Sequence, residues 1–145
     1  MTDRLYRILK KPESIKSQML MLEGKAWALR QRQMPSGIDY SKDNVQTTAH
    51  DQMAEFGAEI DDISRQHKEL GIEYAKAINE LETFIKANLN DLHRVIVTDR
   101  YAYGMKYEAI ALHTGYSLSH VKREHHRAIN ELERRIDCEE SEGEE

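Results

Sequence analysis

The stretch Tyr107-Glu-Ala-Ile-Ala-Leu-His-Thr-Gly-Tyr-Ser-Leu-Ser-His-Val-Lys-Arg123 decides how this chain is read. Ala111, Gly115 and Val121 are spaced as a helix-turn-helix requires: a small residue where two helices touch, a glycine four residues on, and an apolar anchor six beyond. In such a motif the first helix braces and the second enters the major groove of DNA. Ser117 can cap the second helix by accepting a backbone N–H two or three residues on. Ile110 and Ala111 face inward on the brace, and Val121, Ala128, Ile129 and Leu132 hold the reading helix in place. Ser117, Ser119, His120, Lys122, Arg123, His126 and Arg127 are then the expected contacts to phosphates or base edges.

Working outward, Asn88-Leu-Asn marks a break, and Asn90 or Asp91 caps a new helix whose apolar face is Leu92, Ile96, Val97 and Tyr101. Gly104 is expected to end that helix as a left-handed cap. Further upstream, Pro12-Glu-Ser opens a helical pattern in which Ile15, Met19, Leu22, Ala26 and Leu29 recur at steps of four and three. It ends near Met34, before Pro35. A polar linker, Pro35 to His50, precedes a longer stripe of Met53, Phe56, Ile60, Ile63, His67, Leu70, Tyr74, Ala77, Leu81 and Phe84. That is a coiled-coil period. The first helix, taken as about 20 residues at ~1.5 Å each, is too short to cover this seam, so the uncovered part is expected to form a homodimer through residues 53–84. His67, the one polar residue in the seam, reads as a register-setting core residue, and Trp27 as cover for the seam edge.

The division is therefore a helical hairpin or coiled coil over 1–88, a helix-turn-helix over 89–136, and a disordered acidic tail over 137–145. With only seven Gly and two Pro among 145 residues, and little β-branched or aromatic alternation, the fold class is all-α. The net charge of −5 is unevenly spread. Residues 1–36 carry 8 Lys/Arg against 3 Asp/Glu, residues 37–88 carry 5 against 11, residues 89–136 carry 8 against 6, and the tail has 6 acids and no base. Lys122, Arg123, Arg127, Arg134 and Arg135 form a local positive face, weak beside the pI above ~9 of many nucleic-acid domains. Weak phosphate attraction implies that dimerisation or a protein partner supplies part of the binding.

Other function classes are poorly served. The single cysteine, Cys138, rules out an intrachain disulfide and fits a reducing compartment. No apolar run nears the ~20 residues needed to cross a bilayer, and Met1 to Leu9 carries charge throughout, unlike a signal peptide. A cytoplasmic protein with no membrane role is expected. His93, His113, His120, His125 and His126 lack the paired spacing of a zinc site, so no metal and no cofactor are implied. No nucleophile sits beside a base and no Gly-rich phosphate loop occurs, so no catalytic residue is assigned and the chain is not read as an enzyme.

The run from Leu92-His-Arg-Val-Ile-Val-Thr-Asp-Arg-Tyr-Ala-Tyr-Gly-Met-Lys-Tyr-Glu-Ala-Ile-Ala through Val121 to Leu132 resembles the promoter-reading C-terminal domain of sigma factors. It is similar above all to the version in small phage-encoded transcription regulators of the ArpU and RinA type. These also place helical segments and a Pro-Ser-Gly linker, as in Met34 to Thr48, ahead of the sigma-like end. The resemblance implies a phage or prophage activator of late genes in a bacterial host cell, with double-stranded promoter DNA as partner, RNA polymerase as a further one, and groove contacts at Ser119, His120, Lys122 and Arg123. Three positions depart from the pattern: Glu124 and Asp99 stand where apolar residues are usual, and Lys106 replaces the usual Ser or Thr cap. Burying an unpaired carboxylate is costly, so Glu124 and Asp99 are expected to tilt to solvent or to pair with a base, and Glu124→Leu is expected to raise the melting temperature. Two rival functions remain. One is a regulator that holds RNA polymerase or another phage protein without DNA; the other is a small terminase subunit, although those tend to place the DNA-binding unit first.

Overall fold

A computed structural model describes residues 1–33 and 46–144, with the backbone alone for Gln33 and residues 46–50. The elements among these residues are all helical, with no strand among them: α1 (Asp3–Gln33), α2 (Gln46–Asn88), α3 (Asp91–Val97), α4 (Tyr107–Thr114) and α5 (Leu118–Gly143), with a π-helical turn at Thr98–Ala102 directly after α3. The all-α reading therefore holds.

Two compact units emerge, one of residues 1–15 and 74–145, the other of residues 16–73. They differ from the division at residue 88, because α1 begins well before Pro12. Pro12 lies inside the helix and is buried, although it removes one backbone hydrogen bond. Packing overrides the local signal: Leu5 and Leu9, both fully buried, join Leu81, Ile85, Leu89, Val97, Ala102, Ala128, Ile129, Leu132 and Ile136 in one core. The first helix is thus 31 residues long, not about 20. Part of the α2 seam is consumed within the chain: Ala77 and Leu81 are buried in the first unit, with Ile85 beside them, and Ile63 in the second. The start of the seam stays open, with Met53 68% exposed.

In the second unit, His67 sits at the seam half-buried, its Nε2 donating to Glu23 Oε1 at 2.9 Å. Trp27 does not cover the seam edge; it is 64% exposed. The polar linker falls mostly outside the described residues, but its last five positions, 46–50, already belong to α2. At the other end, residues 137–143 continue α5 instead of forming a disordered tail. Buried Ile136 anchors the helix, and Arg4 Nη1 lies 3.2 Å from Glu140 Oε1, which ties the acidic stretch to α1 inside the same unit.

A second, smaller core places the motif. Ile96, Ile110 and Val121 are fully buried, with Leu92, Met105, Tyr107 and Ala111 packed around them. It joins α3, α4 and α5, so α5 is braced by two other helices. Asn90 caps α3 by accepting the His93 N–H, as its position implied. Gly104 has φ +65°, the left-handed geometry expected of it, but the helix widens into the π turn before reaching it. That wider turn carries Asp99 inward, to 5% exposure.

Candidate nucleic-acid interface

The turn between α4 and α5 is built by local chemistry. Gly115 adopts φ +78°, a left-handed angle that a side chain would strain, and its N–H bonds to the Ala111 carbonyl at 2.9 Å. Ser117 is extended, and its Oγ accepts the His120 N–H at 3.2 Å to start α5. Lys106 caps α4 with no side-chain hydrogen bond, as its departure from Ser or Thr implied.

Of the seven residues expected to contact DNA, all but His120 are exposed, and Ser119, Lys122, Arg123 and His126 form one set among them. Their spacing at 119, 122, 123 and 126 sets them on one side of α5. The other three are engaged elsewhere. The Ser117 hydroxyl serves the cap. His120 is half-buried, its ring 4.7 Å from that of Tyr116, with Arg123 Nη2 3.5 Å from its Nδ1. Arg127 is exposed but its Nη1 donates to Glu124 Oε1 at 2.7 Å. Arg134 and Arg135, counted above in the positive face, both bond Glu131, at 2.6 and 3.1 Å, so their charge is locally offset. The free positive charge is concentrated at Lys122 and Arg123.

Sequence reasoning missed what lies beneath that face. Tyr107, at the start of α4, has the Arg100 guanidinium 4.2 Å from its ring and Lys122 Nζ 5.9 Å from it, so two cations share one aromatic platform. His125 packs between Tyr101 and Tyr107, stacked on the first at 5.6 Å and edge-on to the second at 5.3 Å. Its Nε2 is 2.9 Å from the Tyr101 hydroxyl and its Nδ1 is 3.4 Å from that of Tyr107. The two His125 contacts span 18 and 24 residues along the chain, and no short-range spacing announces them.

Burial pushes His125 down to about 4, with the Arg100 charge adding to the effect, and pushes the Tyr101 hydroxyl up to about 12. A histidine whose folded value lies below its ordinary 6.5 binds its proton less readily in the native state. Its contribution to stability is complete above about pH 6.5 and declines as pH falls toward about 4. His125→Phe is expected to flatten the stability slope in that window. Thermal melts at a series of pH values check this, and an unchanged slope would place the acid sensitivity elsewhere.

Both anomalous carboxylates are buried and paired. Glu124 Oε2 accepts from His93 Nε2 at 2.7 Å, and its other oxygen accepts from Arg127. Asp99 Oδ2 accepts from His113 Nδ1 at 2.6 Å. The pairing half of the sequence expectation is met, and the tilt to solvent is not. The His93 hydrogen bond holds the Glu124 carboxyl below its ordinary range, Arg127 assists and burial opposes. That stabilisation is present above the ordinary carboxylate value and is lost as pH falls through the lowered one. The expectation for Glu124→Leu accordingly reverses. The substitution strips the acceptor from a histidine that is only 15% exposed, so the melting temperature falls; a rise would mean that the pair contributes nothing to stability.

None of the described helices is long and apolar enough to cross a membrane. Among the described residues no three His, Cys, Asp or Glu side chains gather as metal ligands. Neither the curated proteins nor the solved structures contain a match to the chain. Residues 87–134, which hold α3, α4, the turn and the reading part of α5, match the family model of Sigma-70, region 4, so this part of the chain is similar to a sigma-type, DNA-binding helix-turn-helix.

Proposed function

We propose that the chain is a sequence-specific transcription regulator, an activator of late genes in a phage or prophage, which reads promoter DNA through the first two turns of α5. One observation carries the reading: Ser119, Lys122, Arg123 and His126 stand exposed on one side of a helix that Gly115, Ser117 and the Ile96–Ile110–Val121 core hold fixed. Lys122 suits phosphate, Arg123 can read a guanine edge with two hydrogen bonds, and Ser119 and His126 can serve either. The sigma-type match over residues 87–134 supports DNA as the ligand.

The charge is modest, so the mechanism is recruitment. A weak DNA contact and a weak contact to RNA polymerase reinforce each other through effective concentration. A specific observation also keeps the protein-binding reading in play. Leu112 is 87% exposed and Tyr116 47% exposed, an apolar pair at the turn that suits a protein surface better than a phosphate backbone.

Selection from a pool of random duplexes tests the proposal. Enrichment of one sequence supports it, while no enrichment together with stable capture of purified RNA polymerase favours the DNA-independent regulator. Division into a partner-binding helical region over 1–88 and a DNA-binding region over 89–136 belongs to the same proposal. It predicts that base preference is unaffected by substitutions on α1.

A further inference from the structure

The apolar surface that α1 leaves uncovered lies opposite its packed side. At about 100° per residue, Ile15, Met19, Leu22, Ala26 and Leu29 share one face, buried or half-buried, and Leu20, Met21, Gly24, Trp27 and Ala28 share the other. On that second face Leu20 is 56%, Met21 75% and Trp27 64% exposed. Exposing three large apolar side chains side by side on one helix is unfavourable unless something covers them.

Gly24 sits in their midst. It has no unusual backbone angle, and a Cβ built there would meet nothing within 4 Å. A glycine inside a helix costs about 0.5–1 kcal/mol relative to alanine, and nothing among the described residues requires it. What a glycine does supply is a notch that lets another backbone come close. The face thus carries notches, Gly24 and Ala28, together with knobs, Leu20, Met21 and Trp27.

We infer that this face docks a second copy of the chain, antiparallel, with the two α1 helices crossing at Gly24. The twofold arrangement sets Leu20 against Trp27 of the partner subunit and Met21 against Ala28 of the partner subunit. Large meets small along one edge, and an aliphatic side chain meets the aromatic ring along the other. Charge is compatible with this pairing. The five face residues carry none, Lys16 lies opposite Gln31 of the partner subunit, and Lys25 points away from the crossing, so no like charges are forced together.

The area sets the strength. An aromatic side chain buries about 150–250 Å², so one Trp, one Leu and one Met from each copy give a total on the order of 1,000 Å². That is the low end for specific interfaces, so the dimer dissociates at micromolar concentrations. The inference does not depend on what α5 reads.

Sedimentation equilibrium of the full chain from ~1 to ~200 µM tests it, since this range brackets micromolar dissociation constants. The apparent mass is expected to climb from 16.9 kDa toward twice that value. Emission from Trp27, the sole tryptophan, is expected to move to shorter wavelength over the same range. Gly24→Leu fills the notch and is expected to weaken association at least tenfold while helix content by circular dichroism holds or rises. The double variant Leu20→Gln/Met21→Gln should weaken it likewise. A wild type that stays monomeric throughout overturns the inference. So does association that is equally strong in both variants, because the contact would then lie elsewhere.

Discussion

Replacing Lys122 and Arg123 together by alanine is expected to reduce DNA affinity by about a hundredfold and to lower the dependence of binding on salt. One base-edge contact accounts for about 1–3 kcal/mol, and loss of one phosphate contact reduces the salt slope by about one. Both side chains are exposed and neither contributes to a core, so the melting temperature should be nearly unchanged. The pair is informative because it holds the free positive charge of α5: Arg127 is bound to Glu124, and Arg134 and Arg135 to Glu131. Arg127→Ala is accordingly a weaker lesion for binding than either member of the pair. Fluorescence anisotropy of the double variant, its two single variants and Arg127→Ala, with circular dichroism as the control for folding, gives the ranking. Equal losses for Arg127→Ala and the double variant would show that Arg127 leaves Glu124 when DNA binds.

Leu132→Ala is expected to have the largest effect on stability. Leu132 is fully inaccessible to solvent in the core that α1, α2, α3 and α5 build together. Truncating a buried leucine costs about 2–5 kcal/mol through lost apolar transfer and the cavity left behind. In a unit of this size the melting temperature falls by on the order of 10 °C. The loss should be confined to the unit of residues 1–15 and 74–145, because residues 16–73 form a separate compact unit. Thermal unfolding followed at once by circular dichroism and by Trp27 fluorescence separates the two. A shift of equal size in both signals would mean that the units melt as one.

What was legible in the sequence is what short-range chemistry controls. Ala111, Gly115, Ser117 and Val121 lie within eleven residues, and their backbone angles, cap and packing follow from residue type alone. The Asn90 cap and the buried positions Val121, Ala128, Ile129 and Leu132 follow for the same reason, since helical spacing reveals which face turns inward.

The errors arose where a distant partner outweighs a local preference. Pro12 is a sound stop signal by itself, yet Leu5 and Leu9 find buried partners more than 70 residues away, and the helix extends through it. Ile63, Ala77 and Leu81 of the α2 seam are buried within the chain, and a further exposed apolar face lies on α1, which the seam pattern did not point to. The acidic end looks unstructured by composition, but buried Ile136 and the contact of Arg4 with Glu140 keep it helical. Glu124 reads as a flaw in a motif until His93, 31 residues earlier, is seen to donate to it. The His125 cluster left no trace in the spacing because its members come from three different segments, the π turn, α4 and α5.

The most direct test of the account is a fluorescence-anisotropy titration of the wild-type chain against duplex DNA from upstream of its own and neighbouring genes, at a low and a high salt concentration. Saturable binding that weakens steeply with salt is the predicted result, because on the proposed reading Lys122 and Arg123 would displace counterions from phosphates. No binding at low salt would contradict the account. The exposed face of α5 would then not be a DNA-reading surface, whatever its likeness to one.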